Sequence, residues 1–256
     1  MPYTEIPNGK IYYADHRTTN TPYIPVLFIH GAGGTHLDWS AELRRLPQAN
    51  TFALDLPGHG KSDGDGRESI QGYAQDIIAF LNALDLQQVI VAGHSMGGAI
   101  AQTLALTYPE RIKAIILAGT GAKLRVHPNI LERLLVDQSE VGELLKQWMW
   151  SSTTSAALRE ASYQQFMEIP AETTYHDYYA CNNFDIRAQL DEIKQSALVI
   201  GGTEDQLTPL KYSEYLSQNL PDAELVIVKG GGHMMALEQP QFVAENIAKW
   251  LETLTG

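Results

Sequence analysis

The stretch VIVAGHSMGGAIAQTLAL, Val89–Leu106, decides the fold. It begins as an apolar run rich in β-branched residues, which is typical of a buried strand, and continues as a helix-forming run. Ser95 lies at the junction, with Gly93 two residues before it and Gly97 two residues after it. A sharp turn from strand into helix crowds those two positions and lifts the serine hydroxyl clear of the backbone. The stretch predicts a nucleophilic serine at the end of a strand.

Similar apolar runs recur along the chain, and most are too continuously apolar for strands with one face in water. Helical patterns separate them, so we expect an α/β protein built on a mainly parallel sheet. The runs lie at Val26–Ile29, Thr51–Leu54, Val89–Ala92, Ala114–Leu117, Ala197–Ile200 and Leu225–Val228. The clearest helical patterns are Ser69–Leu84 with Ser69 as N-cap, Met96–Thr107, and Pro240–Leu254 with proline at an early helical position.

One region, residues 121–187, breaks this alternation. It contains helical stretches and many aromatic residues but no convincing buried strand. We interpret it as a helical lid inserted into an α/β core formed by residues 1–120 and 188–256. The large apolar side chains of Trp148, its methionine neighbour and Trp150 cannot all face one side of a helix. At least one of them is therefore expected to line a substrate pocket or its entrance.

The composition excludes several classes of partner. The chain has 256 residues, of which 44% are hydrophobic and 19% charged, as is typical of a globular protein with one large core. Its formal net charge is -12, and its 18 lysines and arginines form no basic tract. We therefore expect neither nucleic acids nor anionic membranes as partners.

The single cysteine and the N-terminal segment indicate the compartment. With Cys181 alone, we expect no intrachain disulfide and no structural cysteine-based metal site. The opening MPYTEIPNGKIYYADHR lacks the cationic end and the unbroken apolar stretch of a secretion signal, and no later window is long and apolar enough to cross a bilayer. These features predict a cytoplasmic location without membrane insertion.

Five motifs, in this order and over nearly the whole chain, resemble those of α/β-hydrolase-fold proteins of the serine carboxylesterase type. They are VLFIHGAGG at Val26–Gly34, DLPGHGKS at Asp55–Ser62, GHSMGG at Gly93–Gly98, LVIGGTEDQLTP at Leu198–Pro209 and GGGHMMALEQP at Gly230–Pro240. The resemblance implies a mostly parallel sheet of about eight strands, flanked by helices and carrying a helical lid.

A serine nucleophile needs a base that takes its proton and a third group that orients the base. His233 follows three glycines at the end of a strand, and the resemblance implies the catalytic histidine at this point. Asp205 follows another strand, in a turn that Pro209 closes, where similar proteins carry their acid; Glu204 is its neighbouring competitor. The order Ser95, Asp205, His233 agrees with the fold.

The other histidines are assigned structural positions. We expect two of them, His30 and His59, to brace loops through hydrogen bonds, and His94 to point away from the serine. The remaining four, with no supporting context, are expected at the surface or in the lid: His16, His36, His127 and His176.

An oxyanion hole needs backbone N–H groups beside the serine. The turn at the serine directs the Met96 N–H and the helix N-terminus at a developing negative charge. The resemblance implies Ala32 as the second donor, in a glycine-rich loop that comes close to the substrate. The substrate pocket is expected to include five residues: Gly31, Gly33, Trp148, Trp150 and Met234.

The resemblance implies hydrolysis of small to medium carboxylic esters through an acyl-enzyme, with a small-molecule ester as the partner and no metal or organic cofactor. A lactonase, a C–C bond hydrolase, a cofactor-free haloperoxidase and a non-catalytic small-ligand receptor remain as alternatives. No tryptophan soon follows His233, which disfavours the C–C bond hydrolases. Dinucleotide binding by HGAGGTH is disfavoured because His36 takes the place of the third glycine. The oligomeric state stays open.

Overall fold

The computed structural model describes residues 2–17, 23–47 and 49–254, and the strands in these ranges form one eight-stranded sheet. The strands are β1 (Tyr3–Ile6), β2 (Gly9–His16), β3 (Val26–Ile29), β4 (Thr51–Leu54), β5 (Val89–His94), β6 (Ile112–Ala118), β7 (Ser196–Gly202) and β8 (Ala223–Val228). Their order across the sheet is β1-β2-β4-β3-β5-β6-β7-β8. The pairs β1–β2 and β2–β4 are antiparallel and the others are parallel. The predicted α/β class is confirmed.

Helices cover both faces of this sheet. They are α1 (Ala41–Arg44), α2 (Ile70–Ala83), α3 (Met96–Thr107), α4 (Pro128–Arg133), α5 (Gln138–Trp148), α6 (Ala156–Glu168), α7 (Ala171–Asn182), α8 (Lys211–Asn219), α9 (Met235–Glu238) and α10 (Pro240–Thr253). The predicted start of α2 is confirmed, because the Ser69 hydroxyl accepts a hydrogen bond from the Gly72 N–H at 3.1 Å.

The continuous apolar character of the central strands follows from this double covering. Along β3, Leu27 packs into the core that contains α2, α3 and α8, whereas Phe28 packs into the opposite core with α1 and α10. Along β5, Val91 and Ala92 divide in the same way. Because successive side chains of a strand point to opposite faces, both sets must be apolar.

The segment between β6 and β7 is helical, as expected, and contains α4, α5, α6 and α7. These helices bury a small apolar cluster of their own, which includes Ile130, Val141, Leu145 and Phe166. Tyr178 of α7 and Leu207, which follows β7, pack against this cluster. The helical segment is thus packed onto the carboxyl edge of the sheet.

Among residues 2–17, 23–47 and 49–254, none of the helices combines the length and the apolar character that crossing a bilayer requires.

Candidate active site

Ser95 occupies a sharp turn between β5 and α3. Its φ of 53° and ψ of -114° lie in a region that residues other than glycine rarely adopt. The turn is held by backbone and side-chain bonds: the Ser95 N–H donates to the Ala118 carbonyl at 2.9 Å, and the Thr120 hydroxyl donates to the Ser95 carbonyl at 2.7 Å. A strained residue that is fixed this firmly by its neighbours is a frequent feature of functional sites.

The two glycines around Ser95 are required by close backbone contacts. A Cβ on Gly93 would overlap the carbonyl of Gly97, and a Cβ on Gly97 would overlap the carbonyl of Ile29. The next glycine, Gly98, lies against the Thr120 side chain. The crowding expected from the sequence is therefore present, and it explains why small residues flank the serine.

Asp205 and His233 meet through a direct hydrogen bond. The Nδ1 of His233 lies 2.9 Å from the Oδ2 of Asp205, and both side chains are buried. The Asp205 carboxylate also accepts bonds from the Leu207 and Thr208 N–H groups at 2.9 and 2.8 Å and from the Thr208 hydroxyl at 2.8 Å. Burial by itself raises the pKa of Asp205, but His233 and the Thr208 donors outweigh it and lower the pKa. Asp205 is therefore ionised at neutral pH.

Glycines bring the two loops together. The loop that carries Asp205 begins at Gly202, and a Cβ there would overlap the carbonyl of Gly231 in the loop that carries His233. The Glu204 N–H then donates to the same Gly231 carbonyl at 2.8 Å. Because β7 and β8 are parallel neighbours, their carboxyl ends lie at the same edge of the sheet. The close approach of the two loops positions Asp205 against His233.

His94 supports the same loop, a role that the sequence did not indicate. Its Nε2 lies 2.9 Å from the His233 carbonyl oxygen, so this nitrogen carries the proton and donates it. The two rings lie 4.7 Å apart between centroids. Burial, together with the nearby His233, lowers the pKa of His94 to about 3, so the ring stays neutral. Its position directly before Ser95 was the available signal.

The loop after β3 passes directly over the serine. A Cβ on Gly31 would lie 3.1 Å from the Ser95 Cβ. The His30 ring fixes this loop: Nδ1 donates to the Gly31 carbonyl at 2.7 Å, and Nε2 accepts the Leu56 N–H at 3.0 Å. The Gly33 N–H donates to Asp177 at 2.8 Å. The loop-bracing role expected for His30 is confirmed.

Two further histidines form buried contacts with aspartates. His59 braces its loop, as expected, by a 2.8 Å contact with Asp177 of α7. The prediction for His36 was wrong: the side chain is buried, and its Nδ1 lies 2.7 Å from Asp55. Asp55 follows β4 and lies inside the protein, which gives His36 a partner that its own sequence neighbourhood does not reveal.

A cavity of about 490 Å³ unites these groups. Ser95, His94 and His233 lie in its wall together with Gly31 and Ala32. This volume is within the range of small-molecule sites. The helical segment supplies much of the remaining wall, including Ile130, Trp148, Met149, Tyr178 and Cys181.

The expected pocket residues divide between two neighbouring cavities. Gly31 and Trp148 line the large cavity, Gly33 and Trp150 line an adjoining one of about 30 Å³, and Met234 lines both. Several residues of the large cavity were not anticipated from the sequence: Asp38, Arg125, His127, Tyr178, Cys181 and Thr208.

Within residues 2–17, 23–47 and 49–254, no group of three or more His, Cys, Asp or Glu side chains has the arrangement that could hold a metal ion.

Comparison with known proteins assigns the chain to a family. The family model for the alpha/beta hydrolase family matches residues 26–246. The chain belongs to this family. The resemblance seen in the five sequence motifs is thereby confirmed, and the protein is a hydrolase of α/β fold.

Three individual matches of this alpha/beta hydrolase span almost the whole chain. It is 28% identical over 258 residues, 96% of each chain, to a protein of Azorhizobium caulinodans provisionally named the carbamate hydrolase RutD. It is 29% identical over 254 residues to the 2-hydroxymuconate semialdehyde hydrolase of Pseudomonas putida, covering 89% of this chain and 86% of that protein. The solved structure of a thermophilic esterase is 31% identical with a TM-score of 0.87, covering 99% of this chain and 97% of that one.

Proposed function

We propose that this hydrolase cleaves carboxylic esters with small to medium acyl chains through an acyl-enzyme formed on Ser95. The observation that carries the proposal is the 2.9 Å contact between Asp205 and His233, at the wall of the cavity that Ser95 also lines. A carboxylate on Nδ1 keeps the proton on that nitrogen and leaves Nε2 to accept the serine proton. The 31% identity to a thermophilic esterase supports the ester class.

In the proposed reaction, the Ser95 Oγ attacks the ester carbonyl carbon while its proton passes to the Nε2 of His233. The tetrahedral intermediate collapses as its bond to the alcohol oxygen breaks, and His233 gives its proton to that oxygen. Water then attacks the acyl carbon, passing a proton to His233, and the acid leaves as the Ser95 hydroxyl is restored. Asp205 stays ionised and stabilises the imidazolium.

Two backbone N–H groups are proposed to bind the oxyanion. Met96 begins α3, where unpaired N–H groups and the helix dipole favour negative charge. Ala32 is the second, because its loop passes over Ser95 and the neighbouring Gly33 N–H is already bonded to Asp177. Each such donor contributes about a hundredfold or more to the rate in comparable sites.

The helical segment 121–187 is proposed to act as a lid over a core made of residues 1–120 and 188–256. This proposal is supported by the composition of the cavity wall, because Trp148 and Tyr178 of the helical segment line the same cavity as Ser95. Covering the site in this way excludes water and strengthens the electrostatic contacts within it.

Hydrolysis of p-nitrophenyl acetate by wild type and by Ser95→Ala tests the proposal. We expect Ser95→Ala to lose turnover while its thermal unfolding stays unchanged, because the small side chain still fits the turn. Ser139→Ala, at an exposed serine of α5, serves as the matched control and should keep full activity. A fluorophosphonate should label the wild-type protein covalently at Ser95, and near wild-type turnover by Ser95→Ala would refute the nucleophile.

C–C bond hydrolysis is the second candidate, because one relative is named 2-hydroxymuconate semialdehyde hydrolase. The sequence after His233, MMALEQP, lacks the tryptophan expected of that branch. A series of p-nitrophenyl esters of increasing chain length, run beside lactones and a ring-cleavage dienoate, separates these activities. We expect the highest kcat/KM among the short and medium esters; a preference for the dienoate or the lactones would replace the proposed class.

A further inference from the structure

Asp38 is a buried carboxylic acid at the cavity wall that the proposed reaction does not use. It ends the short turn His36–Asp38, which follows the glycine-rich loop after β3, and is 8% exposed. It lines the large cavity together with Ala32 and Ser95. Burying an ionisable group costs free energy unless partners offset it, so its presence here calls for a role.

The hydrogen bonds of Asp38 leave it able to accept more. Its Oδ1 accepts the Gln165 amide of α6 at 2.8 Å, and the Thr35 N–H gives a further bond to the carboxylate. A carboxylate accepts about four hydrogen bonds, so these two donors leave capacity for a ligand. Burial raises the pKa of Asp38 to about 6, so the group is mainly ionised at pH 7.

Asp38 lies where the large cavity joins the smaller one. Five residues line both cavities, and three of them, Ala32, Met149 and Met234, present no strong hydrogen-bonding side chain. The other two are Asp38 and Tyr178. Burial raises the pKa of Tyr178, so its phenol keeps its proton. The junction therefore holds a hydrogen-bond acceptor and a hydrogen-bond donor in largely apolar surroundings.

We propose that Asp38 and Tyr178 form a polar subsite that selects substrates with a hydroxyl or N–H group near the scissile carbonyl. The inference rests on the proposed function and names its substrate class. Asp38 accepts the bond from the substrate N–H or O–H, and Tyr178 donates to the oxygen of the same amide or hydroxyl. A hydrogen bond to a charged acceptor in such surroundings favours the matching substrate by about tenfold or more.

Two pairs of isosteric esters test the subsite. In the first pair, the p-nitrophenyl esters of N-acetylglycine and 4-oxopentanoic acid differ only by N–H against CH₂. In the second pair, 2-hydroxyethyl acetate and propyl acetate place the difference on the alcohol side. For wild type, we expect kcat/KM to be about tenfold higher for the N–H or O–H member of at least one pair.

Variants then assign the preference to its residues. Asp38→Leu should bring that ratio close to one, and Tyr178→Phe should reduce it. Gln206→Leu, which removes a polar side chain that lines the large cavity but not its junction with the smaller one, is the matched control and should keep the ratio. If Asp38→Leu lowers kcat/KM equally for both members of each pair, Asp38 only stabilises its loop and does not select substrates. That result would overturn the proposal.

A binding measurement separates this proposal from the catalytic one. The affinities of the two p-nitrophenyl esters and the two acetates are measured on the Ser95→Ala variant, which does not turn them over. The same affinities are then measured on the double variant Ser95→Ala with Asp38→Leu for comparison. A binding preference that Asp38→Leu removes supports the subsite even if the wild type hydrolyses neither ester. Hydrolysis and binding without any such preference would overturn the subsite and leave the esterase proposal standing.

Discussion

Glu204 and Asp205 are neighbours in the chain, yet their side chains have different partners. The Glu204 carboxylate accepts the Ser152 N–H at 2.7 Å at the surface. Asp205 turns inward, and its two oxygens are held by Leu207, Thr208 and His233. The backbone donors fix the carboxylate before any substrate binds, and such preorganisation is what an orienting acid requires. Asp205, which the resemblance favoured over its competitor Glu204, is therefore the carboxylate that contacts His233.

Replacing Asp205 by asparagine should lower the rate sharply. The amide would present an N–H to His233, which favours the tautomer with its proton on Nε2, and that tautomer cannot accept the serine proton. We expect kcat for p-nitrophenyl acetate to fall by about ten-thousand-fold, as the loss of the corresponding carboxylate does in the best-studied triad. Stopped-flow and steady-state kinetics at pH 8 would measure the loss.

Glu204→Gln is the matched control, since it makes the same chemical change one residue earlier. It should leave kcat within about twofold of wild type, because the Glu204 carboxylate bonds to the Ser152 N–H and not to His233. A mild effect of Asp205→Asn, combined with a large effect of Glu204→Gln, would reverse the assignment.

The sequence could predict side chains that carry a local signal and could not predict those that depend on distant partners. Ser95 and His233 each lie beside glycines at the end of an apolar run, and that pattern is visible without a structure. Asp177 instead accepts a hydrogen bond from Gly33, which is 144 positions away in the sequence, and Asp38 accepts one from Gln165, which is 127 positions away. No local pattern encodes such a contact, because each depends on how the helical segment packs on the core.

At the scale of elements, one glutamate joins the loop of His233 to the helical segment. Glu238, at the end of α9, accepts the Gly232 N–H at 2.5 Å, and its other oxygen accepts the Ser151 N–H and the Thr154 hydroxyl, each at 2.6 Å. Gly232 directly precedes His233. The same carboxylate therefore positions the loop of His233 and the connection between α5 and α6.

Glu238→Ala should loosen both elements together. Because the three lost bonds end on one charged group, we expect the free energy of unfolding to fall by about 2 kcal/mol. We also expect kcat to fall by about tenfold, since His233 would be less well positioned. Urea unfolding and p-nitrophenyl acetate kinetics measure the two effects, and amide hydrogen exchange at Gly232 and Ser151 should quicken.

An exposed glutamate on α10, Glu245, provides the matched control. Glu245→Ala should change the free energy of unfolding by less than about 0.5 kcal/mol. If exchange at Gly232 and Ser151 is the same in Glu238→Ala as in wild type, the glutamate does not hold these elements together.

The strands in the middle of the sheet were predictable because both of their faces are covered. The apolar runs of β3 to β7 were recognised, since two cores demand apolar residues on successive positions. β8 lies at one edge and was recognised because its residues are mostly apolar, although Ile227 is exposed. The N-terminal pair β1 and β2 was not anticipated. These strands are antiparallel at one edge of the sheet, and β1 has exposed residues such as Tyr3. Mixed polarity hides an edge strand from a search for apolar runs.

At the scale of the whole molecule, buried histidines make the stability depend on pH. Burial, with a contribution from His59, lowers the pKa of His30 to about 4, and burial with His233 lowers the pKa of His94 to about 3. His59 behaves oppositely: burial alone lowers its pKa, but the buried Asp177 outweighs it, so the pKa is raised. The first two rings are neutral in the folded protein near neutral pH, and His59 holds a proton more strongly than in the unfolded chain.

The direction of each effect follows from proton binding. Below about pH 6.5, the unfolded chain protonates His30 and His94 while the folded protein does not, so stability falls as the pH falls toward 4. Asp38 has the opposite effect. Its pKa is raised to about 6, so below that pH the folded protein binds a proton that the unfolded chain does not, and the stability gained offsets the loss from about one of the two histidines. The stability that His59 contributes is present below pH 6.5 and is lost as the pH rises through its folded pKa. Stability should therefore be greatest near pH 6.5.

Urea unfolding between pH 4.5 and 7.5 measures this dependence, and His30→Gln assigns part of it. For wild type, we expect the free energy of unfolding to fall by about 1.4 kcal/mol per pH unit below pH 6, the net effect of one histidine. Protonating His30 would turn the nitrogen that accepts the Leu56 N–H into a donor, and glutamine removes that titration. His30→Gln should therefore be less stable at pH 7 but have an acid slope flatter by about 1.4 kcal/mol per pH unit. If His30→Gln keeps the wild-type slope, the proton uptake that destabilises the protein in acid occurs at groups other than His30.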